Sequence, residues 1–223
     1  MNFLCHAIPY MDNPLLAVST GIPDWLSVVD RKIRARRKLA QVHIDSDDQE
    51  LRSVARGVIQ HIDDDRWFHG TQAFVETNMT LAVQLRDLLP GDAGFRPTFV
   101  GHVLIEMFLD AFWIRDDRST AERYYRSLKE IPPKTIQRCV NTITGKPTEG
   151  LVDVLARYVE SQFLYDYLDH QRLLFRLNQV MKRVTLAPLP DDLIDWLPKA
   201  EKLVESSRQR LLTPSDGSNP YGF

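Results

Sequence analysis

The sequence predicts an all-α, single-domain, multi-helix bundle, and three observations carry that prediction. Apolar residues recur with a helical period over most of the 223 residues, while no stretch alternates in the manner of a half-buried strand. Capping residues, prolines and glycines fall between the periodic segments, where helices should start and stop. The stretch Phe99 to Ile114 is apolar nearly all round, as a helix in the middle of a protein must be. With 43% hydrophobic residues the chain is long enough to bury a core as one domain over residues 1–212, with about seven or eight helices. Residues 213–223, rich in Pro, Gly, Ser and Asn, read as a disordered tail.

The net charge of −2 hides 28 basic against 30 acidic groups, which excludes general affinity for nucleic acid or membranes. Cys5 and Cys139 fit no disulfide framework and no zinc-finger spacing, the N-terminus lacks a basic targeting region, and no run of ~18 uncharged apolar residues occurs. These features predict a cytoplasmic protein.

Taken in order, residues 1 to 30 are broken by Pro9, Pro14 and Pro23 and should form short helical turns. His6 lies within the apolar opening, and Asp24 follows Pro23 at a natural helix start. Arg31, Lys32, Arg34, Arg36, Arg37 and Lys38 then place six positive charges in eight residues, the pattern of a solvated helix face or of a docking site for an acidic or phosphorylated partner. Ser46 and Gln49 form a capping box for a helix whose apolar face runs through Leu51, Val54, Val58 and Ile62. His61, Asp65 and His69 continue that face at four-residue spacing, whereas Asp63 and Asp64 should point to solvent. A helix from Thr71 to Leu89 follows, and a loop over residues 90–97 leads into the central apolar helix.

Beyond Ile114, Ser119 or Thr120 should cap a helix ending before Pro132, and a short helix over Lys134 to Ile143 should end at Gly145. Thr148 or Glu149 should open one long helix reaching about Val184, with His170, like His43, on the surface. Pro188 and Pro190 precede a last helix from about Asp191 to Leu212.

The central helix carries His102, Glu106 and Asp110 on one stripe, a match to His61, Asp65 and His69. Buried charge is costly unless it is paired, hydrogen-bonded or bound to metal. Two such helices facing each other can enclose a divalent cation, with manganese and iron favoured and zinc or magnesium possible for mixed imidazole and carboxylate donors. If His6 and Asp24 join, the ligand set is His6, Asp24, His61, Asp65 and His102, with His69 or Glu106 orienting the ligands. Asp65, His69 and Glu106 are the candidate catalytic groups of a hydrolase. Neither a nucleophile elbow nor a phosphate-cradling glycine loop is present in the sequence. The rival readings are a non-catalytic helical protein with a buried polar network that binds an acidic partner, and a phosphohydrolase of small molecules.

The opening Met-Asn-Phe-Leu-Cys-His6, the segment from Pro14 to Asp24, Gly57 through His61 and Asp65 to His69, and Gly101-His102 running to Trp113 resemble, in that order, the acyl carrier protein phosphodiesterases. That family consists of helical, HD-domain-like hydrolases, and the likeness covers roughly the first 115 residues. The resemblance implies a metal-dependent phosphodiesterase that removes 4′-phosphopantetheine from a serine of acyl carrier protein. It would give Arg31 to Lys38 an acidic protein to bind. Three positions depart from the family pattern: Ile8 replaces a second histidine, Gly101 the aspartate before His102, and His69 an acidic residue.

Overall fold

The computed structural model describes residues 1–89, 91 and 96–223. It is all-helical, and among the described residues there is no strand. The backbone groups into two compact units, Met1–Arg66 with Asp117–Gln162, and Trp67–Asp116 with Phe163–Phe223.

The first unit opens with the short turns expected of its prolines: α1 (Phe3–Ala7), a 3-10 turn at Ile8–Tyr10, α2 (Pro14–Ser19) and α3 (Ile22–Val29). The basic segment is not a helix face. Arg31 to Arg36 run outside any helix, with Ile33 and Ala35 turned inward and the charged residues outward, before the single turn α4 (Arg37–Gln41). Arg31 and Lys32 form a turn in which Ile33 N–H donates to the Asp30 carbonyl at 3.0 Å; over 33–36 the alternation of apolar and charged residues suits a strap laid on the surface, since successive side chains of extended backbone point to opposite sides.

Helix α5 (Gln49–Gly70) begins two residues later than the capping box predicts. Leu51 N–H donates to Asp48 Oδ1 at 3.0 Å, so Asp48 is the cap, and the Ser46 hydroxyl accepts from Asp48 N–H instead. An aspartate caps as well as a serine, and its charge also suits the helix N-terminus. The unit is completed by α8 (Arg118–Glu130), α9 (Pro133–Thr144) and α10 (Leu151–Ser161). Asp117, not Ser119 or Thr120, caps α8, and Gly145 closes α9 at φ 65°.

Within this unit α2 packs on α8, and α10 on α3 and α9. Phe3, Trp25 and Tyr158 meet edge-on or stacked at 5.0–5.9 Å between ring centres. Gly57 lets α5 lie directly on α2: a Cβ there would stand 2.5 Å from Ser19 Cβ and 2.9 Å from the Leu16 carbonyl.

The second unit contains the end of α5, then α6 (Gln72–Leu88), α7 (Arg96–Asp116), a 3-10 turn at Phe163–Leu168, α11 (His170–Arg183), a 3-10 turn at Asp191–Asp195 and α12 (Leu197–Leu211). Most of the loop expected over residues 90–97 lies outside the described residues. The single long helix expected up to Val184 is broken: Gln162 takes a left-handed conformation at φ 45°, and the Asp169 carboxylate caps α11 by accepting from Arg172 N–H. The aromatics that sustained the periodicity, Phe163 and Tyr167, sit in the 3-10 turn between the two helices. The last segment is likewise divided, into the 3-10 turn that follows Pro190 and α12, which has Pro198 in its first turn. These breaks and the short N-terminal turns raise the count to twelve α-helices among the described residues.

Helix α7 is the axis of this unit, with α6, α11, α12 and the turn at Phe163–Leu168 packed on it. Leu104, Ile105, Phe108, Leu109 and Phe112 are buried on several sides of the helix, as its nearly uniform apolarity requires. By length and composition it could cross a membrane, yet 67% of its apolar window is buried inside the protein. Gly101 brings α7 against α6, where a Cβ would stand 2.6 Å from Asn78 Oδ1 and 3.2 Å from Leu81 Cβ. The tail is placed on this unit: Tyr221 and Phe223 stack on Trp113 at 5.7 Å, and Arg208 lies over the Trp113 ring. Its two aromatic residues supply apolar area that the polar composition of the segment conceals.

Candidate metal centres

The four-residue spacing on α5 and α7 does bring donors together, in two groups. His6, His61 and Asp65 form one, within the first unit; His69, His102 and Glu106 form the other, within the second. In each, one donor atom per residue lies within 4.8 Å of the others, so each group can hold a divalent ion. His102 therefore falls with His69 and Glu106. Asp24, the third residue of α3, belongs to neither group, nor does Asp110, which is fully buried on α7.

In the first group the imidazoles of His6 and His61 lie 4.2 Å apart between ring centres, tilted by 30°. His61 Nε2 is 3.4 Å from Asp65 Oδ2 across one turn of α5, and His6 Nε2 is 3.3 Å from Asp65 Oδ1. His6 Nε2 is buried and makes no aligned hydrogen bond. The other nitrogen, Nδ1, meets Asp64 Oδ2 at 3.4 Å, and Asp64 is in turn held by Gln60 Nε2, which donates to Oδ1 at 2.8 Å. Asp64 was expected in solvent and is 6% exposed. It was missed because helical spacing from Val58 selects Asp65 and turns Asp64 about 100° away, toward α1, whose position the α5 pattern does not encode. Asp63 does face outward and receives Arg37 at 3.0 Å.

The electrostatics favour ionised carboxylates. Burial pushes Asp65 upward, but the Met1 amino group, 2.5 Å from Oδ1, and the two imidazoles outweigh it and hold the carboxyl well below its ordinary range. For His6, burial and the Met1 ammonium act downward, while Asp64 and Asp65 prevail and raise it to about 8. An ion taken up here must therefore displace a proton from His6.

The second group is more open. His69 Nε2 and His102 Nε2 each lie 3.0 Å from Glu106 Oε1, with side-chain exposures of 29%, 35% and 16% for His69, His102 and Glu106. Phe74 stands edge-on to both imidazoles at 4.9 and 5.0 Å. Burial works against the Glu106 carboxylate, and the positive charge of the N-terminal amino group together with hydrogen bonds from His102 and His69 holds it well below its ordinary range nonetheless.

Of the predicted partner-binding residues, Arg37 is engaged with Asp63 and Gln41. Among the described residues no carboxylate lies within ion-pair distance of Arg31, Lys32, Arg34, Arg36 or Lys38, and all five are exposed. His170 is half-buried rather than on the surface, because Glu201 of α12 accepts its Nε2 at 2.9 Å. Compared with models of protein families, with curated proteins and with solved structures, the chain has no match.

Proposed function

We propose that the protein is a metal-dependent hydrolase of phosphodiesters centred on His6, His61 and Asp65, acting on an acidic carrier protein that bears a phosphopantetheine arm. One observation carries the hydrolase reading. His6 presents one ring nitrogen to Asp64 and the other toward Asp65 beside His61, the carboxylate-histidine arrangement that fixes an imidazole as a metal ligand. The donor set, two imidazoles and one carboxylate, fits manganese, iron or zinc better than magnesium or calcium. A bound divalent ion lowers the pKa of a coordinated water and polarises a phosphoryl oxygen.

The residues of the chain do the rest. Asp64 orients the His6 ring, Gln60 steadies Asp64, and the low pKa of Asp65 keeps it an anionic donor. In the reaction, water forms a bond to phosphorus as the bond from phosphorus to the carrier serine oxygen breaks. The serine oxygen takes a proton, leaving apo carrier and 4′-phosphopantetheine. The choice of substrate rests on the resemblance of His6, Asp24, His61 and Asp65 to the carrier protein phosphodiesterases. It is supported by the basic strap, which is fastened by Arg37 to Asp63, one residue before Asp64.

A second reading has its own observation. Asp64 and Asp65 already face His6 in a buried network, which would serve a non-catalytic helical protein equally well. One experiment decides. The full chain, stripped and reloaded with Mn2+, is incubated with holo carrier protein, and carrier mass is followed. Loss of the arm with wild type but not with His61→Ala supports the hydrolase; intact carrier, together with no metal retained at this group, supports the network.

A further inference from the structure

The proposed hydrolase uses one of the two donor groups and leaves the other without a task. We infer that His69, His102 and Glu106 form a second site, open to solvent, for a divalent transition ion of the zinc or iron class. The inference goes beyond the proposed function, since it draws on no residue of the His6 group.

Three features of the geometry carry it. The donors converge: both imidazoles aim Nε2 at the same carboxylate oxygen, each at 3.0 Å. Ligand atoms about 2.1 Å from a common ion stand roughly 3.0 Å apart in octahedral and 3.4 Å apart in tetrahedral coordination, so little movement separates this arrangement from a loaded one. The rings are also braced. Phe74 meets both imidazoles edge-on, and Phe68 packs on His69 at 5.2 Å, which fixes the planes of the donors before any ion arrives. Finally, the group is reachable. With His102 35% exposed and His69 29% exposed, water and a small anion can approach, unlike at the fully buried His6.

The chemistry of the set narrows the ion. Two neutral imidazoles and one carboxylate bind zinc or ferrous iron well and bind calcium or magnesium poorly, because hard cations prefer all-oxygen sites. Three protein donors leave at least one position for water or a phosphate oxygen, the pattern of a catalytic or substrate-holding ion rather than of a closed structural one. The sequence contributes one telling residue. His69, at the end of α5, supplies the third donor to the histidine-carboxylate pair of α7.

The test uses the full chain, freed of metal and then given Zn2+ alone, or Co2+ alone as a visible-light reporter. Bound ions are counted by elemental analysis after desalting, in wild type, in His69→Asn with His102→Asn, and in His61→Ala with Asp65→Ala. Two ions in wild type and one in each double variant establish the second site. One ion, lost only with His69 and His102, also supports it and refutes the His6 group as a metal centre. One ion unaffected by the His69 and His102 changes overturns the inference and leaves the imidazoles as a clamp on Glu106. One ion lost in both double variants overturns it too, in favour of a single shared site. Should the asparagine variant not fold, Glu106→Gln preserves volume and should lower Zn2+ affinity at this group at least tenfold, with weaker Co2+ bands; unchanged affinity and spectrum refute the site.

Discussion

Replacing Gly57 by alanine tests how tightly the first donor group is built. A methyl group at this position would stand 2.5 Å from Ser19 Cβ and 2.9 Å from both the Leu16 carbonyl oxygen and the Ser19 carbonyl carbon. Two of those atoms are backbone, so neither can swing aside as a side chain would; α5 and α2 must separate. Overpacking of this kind costs about 3 kcal/mol at the upper end of its usual range. Alanine returns about 1 kcal/mol through helix propensity, which leaves a net loss of about 2 kcal/mol. For a chain of this size that corresponds to a fall of roughly 4–8 °C in Tm. Gly70→Ala provides the internal comparison, because a Cβ there meets nothing within 4 Å and its backbone φ is not positive. It should leave Tm unchanged or raise it by up to about 4 °C. Both variants are measured by circular dichroism melting at one pH, in the metal-free protein. The consequence reaches the site as well, since His61 lies one turn beyond Gly57 on the displaced helix. Equal Tm values for the two variants, or a rise in Gly57→Ala, would refute the close-approach argument.

Four further outcomes follow from the same geometry. Asp64→Asn removes the charge facing His6 Nδ1 and should weaken Mn2+ or Zn2+ binding at the first group by about 10- to 100-fold in a chelator competition; affinity within twofold of wild type would exclude an orienting role for Asp64. In the metal-free protein, His6 binds its proton more tightly folded, at about 8, than unfolded, near 6.5. The stabilisation is complete below pH 6.5 and is lost as pH rises through 8, about 2 kcal/mol in all, to be read from urea unfolding across that window; a His6→Asn variant should lack this slope. Gly101→Asp should destabilise by about 2 kcal/mol or more, because its Cβ meets Leu81 Cβ at 3.2 Å and its carboxylate enters a packed helix contact; a melt equal to wild type contradicts this. Charge reversal of Arg31, Lys32 and Arg34 to Glu should weaken carrier protein binding at least tenfold at low salt and flatten its salt dependence, with metal content unchanged; equal binding isotherms would remove the strap from the interface.

Much of the architecture was legible because helices announce themselves locally. Thr71 caps α6 and Gly145 closes α9, and the uniform apolarity of α7 marked it as buried. The break at Gln162 was not legible, since Phe163, Leu164, Tyr167 and Leu168 keep an apolar rhythm that a 3-10 turn can also satisfy. The same limit governed the site. Spacing of four identified His61 with Asp65, and His102 with Glu106, because both pairs are set within one helix. What spacing could not supply was the pairing of helices. Spacing groups His69 with His61 and Asp65 and turns Asp64 to water, whereas the structure sets His69 beside Glu106 of α7 and Asp64 beside His6 of α1, because the positions of α7 and α1 are not encoded in the α5 pattern. Gly101 is the converse case: as a sequence feature it was a missing carboxylate, and in the structure it is the contact that lets α7 approach α6.

The order in which the chain leaves the ribosome gives the division into two units a further meaning. Each unit is assembled from two separated stretches, so neither can be made by truncating the other away. Helix α7, the most membrane-like segment, is finished at Asp116, and of the elements packed on it only α6 has been made by then; the others come from Phe163–Leu211. At ~5–20 residues per second, roughly 5 to 20 s pass between the two events. During that interval a 21-residue apolar helix has α6 on one side and lacks the rest of its wrapping, a natural substrate for nascent-chain chaperones. Synthesis speed downstream of Asp116, and not only the stability of the finished protein, should therefore govern how much of it escapes aggregation.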